Sequence, residues 1–434
     1  MQYKLNKINS SNIEVFATIE KQNIDKNVDK MAREASKTMD IQGFRKGKVP
    51  LAVVKQRYGK KLEDDATNES LKELFDQVLK DEKLKFDDLT GEPSIPKFDK
   101  KEDNSIEIQM NLYLKPVIDL GDYKQYIPEL TPIKISEKEI NDRLKTISQD
   151  HAPMEDIKTP RELKDGDFAV IDFKGFKDDK PFDGGEATNY TLKIGSNTFV
   201  PGFEEQLIGM KYMEKKDIKV KFPQNYQSKE LADADVIFEV QLKKIQQKGE
   251  TKLDDEFAKK ILSNKKDATL DMLKDEIKEQ IKSEKRNEYF MHEIKPQYTK
   301  LLVENYEFDI PENIVQNEIN QQINKKLSSM SEDEIKDIQK DPKFVDKLKD
   351  DLKDVARQSV KATFLIDSIA KNEKIKVSDE QVNQTIYYEA MMSGQDGKEL
   401  ITQYEKKGYL PAVKLSMIEQ QLMMKLFDEK MEQK

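Results

Sequence analysis

The chain of 434 residues contains no cysteine and two histidines, His151 and His292. This excludes a disulfide framework, a thiolate nucleophile, a Cys-ligated zinc or iron–sulfur centre and a three-His metal site. The chemistry that remains visible is charge. Residues 43–61 hold seven positive side chains, Arg45, Lys46, Lys48, Lys55, Arg57, Lys60 and Lys61, and no acid, in a chain of net charge −9. A local positive field on an acidic protein steers it to a polyanionic partner without attracting its whole surface. Gly43 and Gly47 permit tight turns among these charges, and Phe44 offers an apolar anchor beside them. A solvated basic loop is the plainer reading of the same run, since most charge runs are solvated faces.

The elements that carry this loop follow from composition and periodicity. The length suggests two to three domains. Charged residues are 37% and hydrophobic residues 36%, a balance suited to long solvated helices around modest cores. Residues 1–42 hold neither Gly nor Pro, whereas residues 151–245 hold seven Gly and five Pro. A turn-rich middle therefore lies between two helix-rich parts. In the first part Ile13, Val15, Ala17 and Ile19 alternate as a half-buried strand does. Ile24, Val28, Met31, Ala32, Ala35 and Met39 recur at helical spacing, as do Leu71, Leu74, Phe75, Val78 and Leu79. Ile106, Ile108, Met110, Leu112 and Leu114 alternate again. The expected order is strand, helix, loop, helix, strand, a small α+β domain over residues 1–114.

Residues 115–150 read as a connector with Pro116, Pro128 and Pro132, then a short helix announced by the capping pair Ser136 and Glu139. Residues 151–245 read as β. Phe168-Ala-Val-Ile-Asp-Phe and Val236-Ile-Phe-Glu-Val-Gln-Leu alternate between Gly-rich turns, and one short helix follows Pro201-Gly202. Residues 246–434 read as helical. Ser331/Glu334 and Ser378/Gln381 are capping pairs, and Pro311 opens a helix in its first turn. Ile314, Ile319, Ile323 and Leu327 mark a narrow apolar stripe. Nine of the sixteen methionines lie here: Met272, Met291, Met330, Met391, Met392, Met417, Met423, Met424 and Met431. Such side chains either fill gaps in a bundle or form an adaptable binding surface. The opening Met1-Gln-Tyr-Lys-Leu-Asn-Lys-Ile has no apolar core of a signal peptide, and no run of about 18 apolar residues occurs. The expectation is a soluble cytoplasmic protein that spans no membrane.

The string Gly43-Phe44-Arg45-Lys46-Gly47-Lys48-Val49-Pro50, continued by Gln56-Arg57-Tyr58-Gly59, resembles the ribosome-docking signature of the bacterial trigger factor family. The resemblance implies docking near the ribosomal tunnel exit, on a ribosomal protein and neighbouring rRNA. Gly43, Phe44, Arg45, Lys46, Gly47, Lys48 and Pro50 are the ribosome-binding candidates, with Phe44, Arg45 and Lys46 expected at the contact itself.

The middle part resembles an FKBP-type peptidyl-prolyl isomerase domain in the strings Ile171-Asp-Phe-Lys-Gly, Pro181-Phe-Asp-Gly-Gly, Ile194-Gly, Phe199-Val-Pro-Gly-Phe-Glu and Val236-Ile-Phe-Glu-Val. Carried over by position, the resemblance implies a pocket of Phe173, Phe182, Asp183, Tyr190, Phe199, Val200, Phe203, Tyr226 and Phe238. Asp183 is expected to orient the substrate or order the pocket through hydrogen bonds. Any single Phe here is also an ordinary core residue. Small single-domain members of that family carry Trp at the pocket floor, where this chain has Phe203 and no Trp at all.

Taken together, the resemblance implies a multidomain α+β protein. It comprises an N-terminal α+β ribosome-binding domain (1–114), a linker and helix (115–150) packing with the C-terminal part, an FKBP-like twisted sheet with a short helix (151–245), and an extended all-α chaperone domain (246–434). It implies a chaperone that shields nascent and unfolded polypeptides and isomerises X-Pro bonds, needing no cofactor and no metal, and dimeric off the ribosome. A dedicated prolyl isomerase whose helices only deliver substrate is the alternative. A nucleic-acid binder is weaker, because there is one basic patch on an acidic chain and no recognised nucleic-acid-binding module.

Overall fold

The structure, a computed structural model, describes residues 2–38, 44, 47–159, 161–226, 228–331 and 344–433. Residues 1–132 and 287–434 form one compact unit, and residues 133–286 form a second.

In the first unit, β1 (Tyr3–Asn9), β2 (Asn12–Ile19), β3 (Ser94–Lys100) and β4 (Ile106–Tyr113) make an antiparallel sheet in the order β1-β2-β4-β3. Val15 lies opposite Met110, and Ile13 opposite Leu112. This register puts every second side chain of both strands on one face. That face is closed by α1 (Lys21–Thr38) and α2 (Leu51–Asp81) through Ile24, Ala66, Leu74 and Val78. The strand–helix–helix–strand reading holds, and the sheet gains two edge strands that the alternation rule did not find. Every residue of β3 is exposed, so it has no apolar face to announce it.

The rest of this unit is helical: α7 (Lys295–Asn305, entered through a π-helical turn at Tyr289–Ile294), α8 (Glu312–Ser328), α9 (Phe344–Asn372), α10 (Asp379–Met392), α11 (Gly397–Lys406) and α12 (Leu410–Glu432). Ser378 caps α10 reciprocally with Gln381, as expected. Glu334 of the other expected pair lies outside the described residues. Pro311 sits one residue earlier than expected, at the N-cap of α8 rather than in its first turn. The narrow stripes close into several small cores. Tyr123, Ile127 and Leu130 of the connector pack with Phe290, Tyr298, Leu365 and Phe427. Val315, Ile319 and Ile323 pack with Leu348, Ala356 and Val360. Val382, Ile386 and Ala390 pack with Leu400.

Buried polar contacts fasten the β1–β2 turn to the start of α8. Asn12 donates from Nδ2 to the Ile310 carbonyl at 2.9 Å and accepts from Glu312 N at 2.9 Å. Ser11 Oγ donates to the Asp309 carbonyl at 2.9 Å.

In the second unit, α3 (Glu137–Asp150) starts at the Ser136–Glu139 capping box and packs with α5 (Asp255–Ile261) and α6 (Leu270–Glu288) through Ile140, Leu144, Phe257, Leu273 and Ile277. The sheet of this unit comprises β5 (Met154–Asp156), β6 (Phe168–Lys177), β7 (Lys180–Lys193), β8 (Lys215–Lys221) and β9 (Asp235–Lys248), in the antiparallel order β5-β9-β6-β7 with β8 beside β9. The expected short helix is α4 (Phe203–Leu207), entered from Gly202 at φ +86°. Ala169, Ile171, Leu207, Ile218, Val240 and Leu242 fill the core beneath it. Among the described residues, no helix is long and apolar enough to cross a membrane.

Candidate functional site

The core of the second sheet opens into a cluster of rings. The inward positions of β6 and β9 supply Phe173 and Phe238, β7 supplies Phe182 and Tyr190, and the loop before α4 supplies Phe199. Phe203, the first residue of α4, is fully buried and forms the floor together with Phe238 at 4% exposure. Their centroids lie 5.3 Å apart, edge to face. Phe199 stacks on Phe203 at 4.6 Å and 27°. Phe173 stands in the middle, with Phe199 at 5.4 Å, Tyr190 and Phe238 at 5.9 Å and Phe203 at 6.3 Å. Edge-to-face and offset pairs of this kind are the favourable arrangements of aromatic quadrupoles. Phe173, Phe182, Phe199 and Val200 are half-buried walls, and Tyr190 and Tyr226 form the exposed rim.

Two glycines shape one wall. A Cβ on Gly175 would lie 2.6 Å from the Phe182 ring and 2.7 Å from Phe238, and one on Gly185 would lie 2.6 Å from Phe182. The Phe182 ring therefore lies against bare backbone on two strands.

Of the nine residues expected here, Phe173, Phe182, Tyr190, Phe199, Phe203 and Phe238 form one contiguous ring network, and Val200 packs against the same core. Among the described residues, Tyr226 joins through Phe222, at 4.6 Å, which in turn meets Phe182 at 6.3 Å. Phe222 was missed, although Ile218, Val220 and Phe222 alternate and could have pointed to it. Asp183 is exposed and makes no hydrogen bond or ion pair among the described residues. It does not order the pocket by bonding within the chain. The rings and Val200 give the described lining its largely aromatic and aliphatic character.

The basic segment lies in the first unit, between α1 and α2. Gly43, Arg45 and Lys46 lie outside the described residues. Phe44 is 39% exposed. Gly47 adopts φ +78°, and a Cβ there would come to 3.4 Å from the Lys37 carbonyl. Lys48 and Pro50 are exposed. Val49 is buried with Ala32, Val54 and Leu62, a small core that anchors the segment to both helices. Lys55 is taken up by an ion pair with Asp29. Arg57, Lys60 and Lys61 are exposed and form no ion pair among the described residues.

The methionines divide. Met423 is fully buried, and Met291, Met424 and Met431 pack beside the same core, filling gaps. Met391 and Met392 are 60% and 69% exposed. They share α10 with Tyr387 and Tyr388, 54% and 61% exposed, while Val382, Ile386 and Ala390 point inward. The helix thus buries one apolar stripe and shows another to solvent.

The family profile described as "Bacterial trigger factor protein (TF)" matches residues 1–147, and its C-terminal counterpart matches residues 269–428. The trigger factor of Aliarcobacter butzleri is 48% identical over 431 residues, covering 99% of this chain and all of the relative. The chain belongs to the bacterial trigger factor family. The trigger factor of Sulfurovum sp. is 46% identical over 98% of this chain and 99% of its own length, and that of Campylobacter jejuni serotype O:23/36 is 40% identical over the full chain and 97% of its own length. A solved structure described as "Promiscuous Substrate Recognition in Folding and Assembly Activities of the Trigger Factor Chaperone" shares the fold, with a TM-score of 0.59, 19% identity and coverage of 99% of this chain and 100% of that one. The profile "FKBP-type peptidyl-prolyl cis-trans isomerase" matches residues 159–243, the segment that contains every ring of the cluster. The chain is a trigger factor chaperone with an FKBP-type isomerase domain.

Proposed function

We propose that this trigger factor holds nascent and unfolded polypeptides at the ribosome and isomerises their X-Pro bonds in the ring cluster, with Phe173, Phe182, Asp183, Tyr190, Phe199, Val200, Phe203, Tyr226 and Phe238 as its site residues. The observation that carries the enzymatic half is the open aromatic cluster itself. Isomerisation breaks no bond, and its barrier is amide resonance, about 18–20 kcal/mol. A twisted amide has lost resonance and part of its polarity, so a dry aromatic surface favours it over the planar form. That is selective binding of the transition state. Asp183, exposed beside Phe182 and with no side-chain partner among the described residues, is placed to orient a substrate.

The chaperone half is supported by the exposed face of α10. It favours a client-holding role over the alternative of an isomerase whose helices only deliver substrate, because delivery alone does not call for an uncovered Tyr/Met face. Docking is assigned to Gly43, Phe44, Arg45, Lys46, Gly47, Lys48 and Pro50, reaching a ribosomal protein at the tunnel exit and the rRNA beside it; the exposed cations Arg57, Lys60 and Lys61 extend that field. The reading includes a cytoplasmic location, a homodimer off the ribosome, no cofactor, and a division into 1–114, 115–150, 151–245 and 246–434.

The test measures two activities of one full-length variant. Phe173→Leu is expected to lower prolyl isomerisation of a peptide while leaving suppression of client aggregation intact. Parallel loss of both, with the fold preserved, would favour the dedicated isomerase.

A further inference from the structure

Glu204 follows the floor ring Phe203 and is 5% exposed. A buried carboxylate without partners is costly, and no lysine or arginine forms an ion pair with it among the described residues. Four donors of one loop converge on it instead. Oε1 accepts from Thr198 N at 2.9 Å, Ser196 Oγ at 3.1 Å and Phe199 N at 3.3 Å, and Oε2 accepts from Asn197 N at 3.1 Å. Burial by itself pushes this carboxyl up. The N–H groups of Phe199 and Asn197, the Ser196 hydroxyl and the Thr198 N–H outweigh it and hold the group below the usual carboxylate range.

The loop so gathered carries one wall of the site. Phe199, whose N–H is one of the four donors, stacks on Phe203 and stands edge-on to Tyr190 at 5.5 Å. Asn197 turns the loop at φ +54°, a left-handed conformation that asparagine adopts more readily than most residues. The bond from its N–H to Glu204 fixes the turn in place.

We propose that Glu204 is a positioning residue of the isomerase, fixing the Phe199 wall against the Phe203 floor so that the pocket is already assembled when the amide twists. A site held in its productive geometry before binding loses nothing to rearrangement during reaction. The proposal rests on reading the ring cluster as the isomerase site. A glutamine at 204 keeps an acceptor for Thr198, Ser196 and Phe199 but turns an N–H₂ toward Asn197 N–H, so its effect must lie between those of wild type and alanine.

The experiment compares full-length wild type, Glu204→Gln, Glu204→Ala and Phe199→Ala by kcat/KM on an X-Pro peptide and by amide hydrogen exchange. The expected result is a fall in kcat/KM of roughly tenfold in Glu204→Ala, a smaller fall in Glu204→Gln, and a fall in Phe199→Ala. The amides of Asn197, Thr198 and Phe199 exchange faster in both Glu204 variants, while those of β6 and β9 and the suppression of client aggregation stay unchanged. Wild-type kcat/KM in Glu204→Ala despite fast exchange at 197–199, with Phe199→Ala impaired, overturns the positioning role and leaves the pocket reading standing. Unimpaired Phe199→Ala overturns the pocket reading itself. Should Glu204→Ala lose the sheet's protection as well, Glu204→Gln decides: wild-type kcat/KM there overturns the proposal.

Discussion

Replacing Glu373 by Gln is expected to destabilise the helical core of the first unit in a way that depends on pH. Glu373 lies just past the end of α9, its side chain 10% exposed, and accepts from Tyr123 Oη at 2.6 Å, Lys124 Nζ at 3.1 Å and Lys425 Nζ. It thereby ties the connector to both α9 and α12. Burial raises its pKa, but the bonds from Lys425, Tyr123 and Lys124 prevail and bring it to about 2 from an ordinary 4.5. At about 1.4 kcal/mol per tenfold change in proton affinity, that gap bounds its contribution at roughly 3 kcal/mol. The lysines are 44% and 38% exposed, so solvent screens the pairs and about 2 kcal/mol is expected. The sign follows from the lowered pKa: the stabilisation is complete above about pH 4.5 and disappears as pH falls toward 2. Calorimetry of the two full-length proteins measures this difference directly. The gap between wild type and Glu373→Gln should be about 2 kcal/mol at neutral pH and should close on acidification through that window. Superimposable transitions at neutral pH, or a gap that widens in acid, would refute the reasoning.

Two further outcomes follow from single contacts. Gly175→Ala drives a methyl into Phe182 and Phe238; isomerase kcat/KM should fall by roughly tenfold while aggregation suppression is retained, and full isomerase activity would mean that the rings need not sit where they do. Asn12→Ala leaves the Ile310 carbonyl and the Glu312 N–H without their partner; denaturation should show a loss of about 1–3 kcal/mol, and a loss below about 0.5 kcal/mol would mean that solvent replaces both bonds.

Legibility in the sequence tracked burial. β2, β4 and β9 were readable because buried and more accessible positions alternate along each, whereas β6 is a central strand with no exposed residue and was readable from its apolar run. β3 is an edge strand exposed throughout, and β1, the other edge, alternates only over Tyr3–Asn6 before three polar or exposed positions break the pattern. The caps at Ser136 and Ser378 were readable because a hydroxyl three residues before a Glu or Gln has few other uses. The ring cluster came from spaced strings, and contiguity of the rings is a fact of the folded sheet. Glu204 was invisible as a site residue: a glutamate in a short helix reads as solvated, and nothing local reveals that a loop folds over it. Lys55 belongs to the basic segment by sequence, but Asp29, on the neighbouring helix, holds it in an ion pair. Pairing across elements is the information that one-dimensional spacing lacks. The methionines show the same limit, since Met423 and Met392 differ in role only through the neighbours that α10 and α12 acquire.

The central claim is that this chaperone works from the ribosome, moored by the basic segment. Co-sedimentation with ribosomes tests it most directly, comparing wild type with the triple variant Phe44→Ala, Arg45→Ala, Lys46→Ala. Wild type is expected to pellet with ribosomes, less so as salt rises because charge contributes to the contact, and the triple variant to stay in the supernatant. A triple variant that pellets as wild type does would contradict it.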